Sequence, residues 1–236
     1  MSVQNAMMES GLFEDLQKKI DEDTQVKDTL REIVQQLEKQ DRATQAILSK
    51  AHSTPSAELS PVLQAAQSSI ENEVQSIQRL AEVASKHPYY RYNYAWTREM
   101  QSAVSGKHDL LERRGLNTQP GHLLTLAEVT TLMQIPPIAP TTDSFHLTPE
   151  EYLQSLISLV DELSRLARNS VTLGDTARPL QISKFIKDVH AGFQMLNLRN
   201  DGLRKRSDGV KYRVKEAEDV VYDLSLRGLL PGQGKV

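Results

Sequence analysis

Five of the twelve aromatic residues in this chain fall between residues 89 and 96: Tyr89, Tyr90, Tyr92, Tyr94 and Trp96. Lys86, Arg91 and Arg98 flank or interrupt them, and 86–98 holds no acid. Arginine and lysine neutralise phosphate, and exposed rings stack on bases that a single strand leaves open. At helical spacing Tyr90, Tyr94 and Arg98 share one face and Trp96 lies on another, so part of the cluster belongs to a core. Two readings stand: a binding face built on Lys86, Arg91, Arg98, Tyr90 and Tyr94, or aromatic anchors of helix packing with solvated arginines.

A second basic run, Arg204-Lys205-Arg206, lies in 199–215, where seven basic residues face Asp201 and Asp208. It reads either as a charged helix face or as a contact for nucleic acid or a neighbouring subunit. Residues 1–50 carry ten acidic and seven basic groups. A formal net charge of -3 therefore hides charge sorted along the chain, and a basic face can coexist with acidic helices.

Other chemistries are poorly supplied. Without cysteine there is no disulfide, thiol redox centre or cysteine-bound metal. The six histidines show no His-x-x-x-His pair. Gly174-Asp175 lacks a Gly-rich loop followed by Lys and Ser or Thr, so a turn between helices fits it better than a nucleotide site. No apolar run approaches membrane-spanning length, and residues 1–10 lack the pattern of a secretory signal. The expected location is cytoplasm and nucleus, with no membrane partner.

The elements that would carry these residues read as helices throughout. Apolar residues from Phe13 to Leu48 suggest one long helix or two over about 11–50. Ser60-Pro61 predicts a helix start, with Val62, Ala66, Ile70, Val74, Ile77 and Ala81 on its buried face. Pro88 interrupts that helix or opens the next. Gly106, Gly115, Pro120 and Gly121, amid mixed charge, predict a divergent or mobile loop over 106–121. A short helix follows over about 125–133. Thr148-Pro149-Glu150-Glu151 is a capping signature. Helices continue past Leu180 and from about 203 to 227, with Gly228 as a stop. The expectation is an all-α single domain over 1–236, ordered over about 11–228.

The ordered set Glu162-Leu163-Ser164-Arg165, Asn169-Ser170-Val171-Thr172-Leu173-Gly174-Asp175, Arg178-Pro179-Leu180, Gly192-Phe193, Leu196-Asn197-Leu198-Arg199-Asn200-Asp201 and Val220-Val221-Tyr222-Asp223-Leu224 resembles the translin/translin-associated factor X family. Tyr89-Tyr90-Arg91 and Trp96 extend the likeness. It is dense over 143–228, moderate over 11–100 and poor over 101–122.

The resemblance implies a seven-helix bundle that closes into a homo-octamer, or into a mixed shell with the translin-associated factor X paralogue. It implies binding of single-stranded RNA and DNA, and a place in an endoribonuclease complex that matures small RNA and processes tRNA. In such a complex the paralogue supplies the Mg²⁺-binding carboxylates. Here their counterparts fall at Ser102, Ser105 and Ser158, so this chain is expected to be non-catalytic and to hold no cofactor or metal. Glu99, Asp161 and Glu162 survive nearby. The family's other basic segment should lie near 58–70, yet 59–70 contains no Lys or Arg. Two rivals remain: a metal-dependent endoribonuclease active as the homo-oligomer, and a helical adaptor that binds no nucleic acid.

Overall fold

A computed structural model describes residues 2–115, 123–137 and 143–230. Helix α1 spans Ser2–Ser49 without a break. Leu30, Ile33, Leu37, Thr44 and Leu48 form its buried face at intervals of three, four and seven. Leu12, Phe13, Leu16 and Ile20 keep helical spacing but stay exposed. Residues 11–20 of α1 thus bury none of their large apolar side chains against the described residues of this chain.

Helix α2, Leu59–Ala84, starts one residue before Ser60. The expected serine cap is absent because a 3₁₀ turn over Ser56–Glu58 leads directly into the helix, and Glu58 caps without a side-chain bond. Past Pro88 come a single turn, α3 (Tyr89–Tyr92), a 3₁₀ turn over Asn93–Ala95, and α4, Thr97–Gly115.

The loop expected over 106–121 is a correction for its first part: residues 106–115 continue α4, while 116–121 lie outside the described residues. The reason is burial. Val104, Ser105, Lys107, His108, Asp109, Leu110, Glu112 and Arg113 are all buried between α1 and later helices. That packing outweighs the roughly 1 kcal/mol that Gly106 costs in a helix interior.

Helix α5, Leu126–Leu132, opens on a capping box of Thr125 and Glu128. Helix α6, Pro149–Thr172, opens on the Thr148/Glu151 box, with the Glu151 amide donating to Thr148 at 3.1 Å and the Thr148 amide donating to Glu151 at 2.9 Å. Gly174, at φ +81°, lets the chain turn into α7, Arg178–Gln194. Asn200 caps α8, Asp201–Leu226, by accepting from the Leu203 amide at 3.0 Å, and Gly228 at φ +64° ends it. Eight α-helical segments are seen among the described residues. One of them, α3, is a single turn, and the remaining seven make an all-helical, single-domain bundle.

Two apolar cores sit side by side. One joins α1, α2, the aromatic segment and the first part of α4. The other joins α6, α7 and the Leu203, Val210 and Ala217 stripe of α8. Helices α4 and α6 pack against each other where these cores meet. No described helix is long and apolar enough to cross a membrane.

Inside the first core lies a buried polar seam. Glu73 accepts from Thr44, and Asp41 accepts from Ser102 at 2.6 Å. Burial pushes the Glu73 carboxyl up to about 7, with Asp41 adding to the rise and Lys107 opposing it. The unfolded chain releases this proton near pH 4.5, whereas the folded chain keeps it to about pH 7. The unfolded state therefore binds fewer protons in that window, and stability falls as pH rises through it. Asp41, also raised by burial, acts in the same direction. Glu73→Gln is expected to flatten that part of the curve. Chemical denaturation at pH 5 and pH 7.5 checks this, and an unaltered pH slope would count against it.

Candidate nucleic-acid interface

Arg98, Gln101, Ser102 and Ser105 follow one another at i, i+3, i+4 and i+7, so α4 presents them as one polar stripe. Across from it α6 presents Ser158, Asp161 and Glu162 at i, i+3 and i+4. Gln45 of α1 closes one end, and together they line a cleft of about 350 Å³. The apolar residues of both helices face their separate cores, which leaves these polar stripes to meet between them.

The carboxylates in this cleft are already paired. Asp161 accepts from Arg213 at 2.7 Å, and Arg213 also pairs with Glu216 at 2.9 Å. Glu162 accepts from His52 at 3.1 Å and from Arg165 at 2.9 Å. The His52 hydrogen bond, chiefly, holds the Glu162 carboxyl below its usual range. Ser102 donates backward to Asp41, and Ser158 donates to the Gln154 carbonyl at 3.2 Å while accepting from Arg206 at 3.1 Å.

A second cleft, of about 430 Å³, adjoins the first and shares Asp161 with it. Ile157, Lys205, Arg206, Gly209, Tyr212 and Arg213 complete it. Arg206 reaches from α8 to Ser158 and Gln154 of α6. Lys205 is exposed, and Arg204, also exposed, has a loose 3.7 Å contact with Asp201. Arg98 and the basic run of α8, more than a hundred residues apart in the chain, thus flank neighbouring clefts.

The other candidate residues sit elsewhere. Lys86 is exposed just after α2. Arg91 is committed to Asp23 through Nε at 3.2 Å and Nη2 at 2.8 Å. Lys27 and the Tyr92 hydroxyl bind the same carboxylate, at 2.6 Å each, and Lys27 foremost holds it far below the usual carboxylate range. Tyr90 and Tyr94 are 75% and 67% exposed. Tyr94 lines a separate cleft of about 440 Å³ with Lys27, Asp28 and Arg31 of α1. Tyr89, Tyr92 and Trp96 are buried, Trp96 packing on Phe145 and Tyr89 with ring centroids 5.4 and 5.9 Å away.

The helical phase thus separates exposed from buried rings as expected. A continuous helix would have kept Tyr90, Tyr94 and Arg98 on one face. The 3₁₀ turn at Asn93–Ala95 breaks that phase, so Tyr94 and Arg98 line different clefts. Gln45, Gln101 and Tyr212 escaped the sequence reading. The 98/101/102/105 polar stripe was a visible signal for Gln101; nothing local pointed to Gln45. Ser102, Ser105 and Ser158 share one cleft with Glu162. Among the described residues, no group of three or more His, Asp or Glu side chains is placed to hold a metal ion. At the Gly174 turn, Asp175 accepts from Ser56 at 2.6 Å and pairs with Arg178 at 3.2 Å, which ties α7 to the start of α2.

Residues 25–228 match the model of the Translin family. Translin of Mus musculus is 37% identical over 229 residues, covering 94% of this chain and 95% of that protein. Translin of Bos taurus is 36% identical over 225 residues with the same coverage. Translin-associated protein X of Mus musculus is 34% identical over 85 residues only, 35% of this chain and 29% of that protein. Among solved structures, AfC3PO superposes with a TM-score of 0.66 at 14% identity, covering 92% of this chain and 98% of that one. Its duplex RNA complex superposes with a TM-score of 0.64 at 14% identity, with the same coverage. Apo-NeC3PO superposes at 0.65 and 12% identity, covering 88% of this chain and 95% of that one. With the family model matched over most of the chain and full-length relatives above 30% identity, this chain belongs to the translin family.

Proposed function

We propose that this chain is a single-stranded RNA- and DNA-binding subunit of an oligomeric assembly, and that it retains the strand rather than cutting it. The observation that carries this reading is the convergence of Arg98 with Lys205 and Arg206 on adjoining clefts between α4, α6 and α8. Family membership supports the class of ligand. AfC3PO, whose fold this chain shares, has been solved as a complex with duplex RNA, which supports RNA in particular. Ser102, Ser105 and Ser158 stand where the catalytic paralogue's carboxylates are expected, and hydroxyl groups are poor ligands for Mg²⁺ beside carboxylates. Cleavage is assigned to a translin-associated factor X partner in a mixed shell, acting in small-RNA and tRNA processing in cytoplasm and nucleus.

Binding of this kind weakens with salt, and each lost phosphate contact lowers the slope of log K against log salt by about 0.7 on single strands. The triple variant Arg98→Gln, Lys205→Gln, Arg206→Gln is expected to lose roughly two units of slope if each cation meets a phosphate. Titration of a short single-stranded RNA at several salt concentrations measures it, with the mass of the assembly monitored in parallel. Unchanged affinity and slope in an intact assembly would refute the interface. Absence of any RNA binding by the unaltered protein at low salt would instead favour a helical adaptor, and Mg²⁺-dependent cleavage by the purified homo-oligomer would favour an enzyme.

A further inference from the structure

We propose that the cleft between α4 and α6 is a seat for one phosphate group of the bound strand, held by Arg98, Gln101 and Ser105 without a metal ion. This rests on the nucleic-acid reading above but goes further, because it separates a cleft of specific donors from the basic surface of α8.

The donors are available. Arg98, Gln101 and Ser105 make no side-chain hydrogen bond or ion pair with any other described residue. Ser105 lines the cleft and is otherwise buried, and its hydroxyl makes no hydrogen bond to another described residue. A hydroxyl that opens onto the cleft can donate to a charged phosphate oxygen, and such a charge-assisted hydrogen bond is stronger than a neutral one. These three side chains come from consecutive turns of one helix, so their spacing is held by the backbone of α4 rather than by a loop.

The cleft also tolerates a negative charge despite its two acids. Asp161 is paired with Arg213 and Glu162 with Arg165, and His52 donates a hydrogen bond to Glu162. Ser102 and Ser158 spend their protons on Asp41 and on the Gln154 carbonyl, so they shape the wall rather than bind. The same pairing argues against a cation: a metal would have to compete with arginine for each carboxylate and would find neutral hydroxyls opposite. A volume of about 350 Å³ suits one nucleotide's phosphate and sugar. Beyond Ser158 the path opens onto Arg206, Lys205 and Tyr212, which is 62% exposed, so a strand seated here runs over a surface that offers both charge and a stacking ring.

The phosphate could be internal or terminal, and the test distinguishes them. Affinity is measured on the intact assembly for one short single-stranded RNA carrying either a 5′-phosphate or a 5′-hydroxyl. Gln101→Leu with Ser105→Ala is expected to weaken binding roughly tenfold or more, since hydrogen bonds to charged groups are strong, without altering the salt slope, because no charge is removed. Gln101→Glu, at a half-buried position that tolerates a charge, keeps the shape of the wall and should weaken binding further. If the unaltered protein prefers the 5′-phosphate and the double variant loses that preference, the seat takes the strand's end. Equal weakening for both oligonucleotides assigns it to an internal phosphate. Either supports the seat. Wild-type affinity in both the double variant and Gln101→Glu, while Lys205→Gln with Arg206→Gln binds weakly, removes the seat and leaves the outer interface standing. Wild-type affinity in all of these variants removes the interface as well.

Discussion

Arg113→Leu is expected to cost about 3–5 kcal/mol and to lower the melting temperature by roughly 6–20 °C for a chain of this size. The Arg113 side chain is 1% exposed, and its Nε donates to both Asp109 oxygens at 2.8 Å. One Nη2 contact reaches His52 at 3.4 Å. Burial already raises the Asp109 carboxyl, with Arg113 the chief group opposing that rise. Leucine in place of Arg113 leaves a buried carboxyl with no cation to hold its charge. The cost is that of a broken pair, not of a pair replaced, so Asp109→Leu with Arg113→Leu should recover most of the loss. Thermal melts at fixed protomer concentration measure both, since assembly makes stability concentration-dependent. A loss under about 1 kcal/mol in the single variant would mean that the network is solvated rather than buried.

The second large effect is a gain. Ser102→Glu, Ser105→Glu and Ser158→Asp together put three carboxylates into the cleft that Glu162 already lines. In the absence of metal the triple variant should melt below the unaltered protein, because like charges crowd a partly buried cleft beside Asp41. Mn²⁺ or Mg²⁺ should restore it, by about 2.7 kcal/mol at a hundredfold excess over Kd, and should leave the unaltered protein where it was. Carboxylates converging on a divalent ion are the setting for metal-assisted phosphodiester cleavage, so RNA cleavage by the loaded variant is the second readout. No metal-dependent shift in melting would show that the three serine positions do not point to one centre.

Much of this fold can be read from the chain. Capping boxes at Thr125 and Thr148 depend on residues three apart, and the stops at Gly174 and Gly228 depend on single glycines that accept positive φ. Such local signals survive any tertiary arrangement. Tyr90 and Tyr94 lie outside and Trp96 inside, as helical spacing predicts, although a 3₁₀ turn interrupts the helix between them. Residues 106–113 misled for the opposite reason. Glycine and mixed charge describe a loop in water, but contacts of these charges come from distant parts of the chain: Arg113 reaches His52 in the segment after α1, and His52 bonds Glu162 of α6, 110 positions further on.

By itself the sequence determined the helices outside 106–115, the family and the two basic runs, because each of these is written in neighbouring residues or in their order. Only the tertiary structure decided which cations lie on adjoining clefts. Arg91 and Arg98 lie in one short segment, yet Arg91 is spent on Asp23 while Arg98 lines a cleft with Ser105 and Ser158. A 3₁₀ turn of three residues redirects the chain between them, and Asp161 and Glu162, which line the cleft with Arg98, are bonded to Arg213 and to His52. Those pairings join α6 to α8 and to the turn after α1, and no spacing along the chain encodes that proximity.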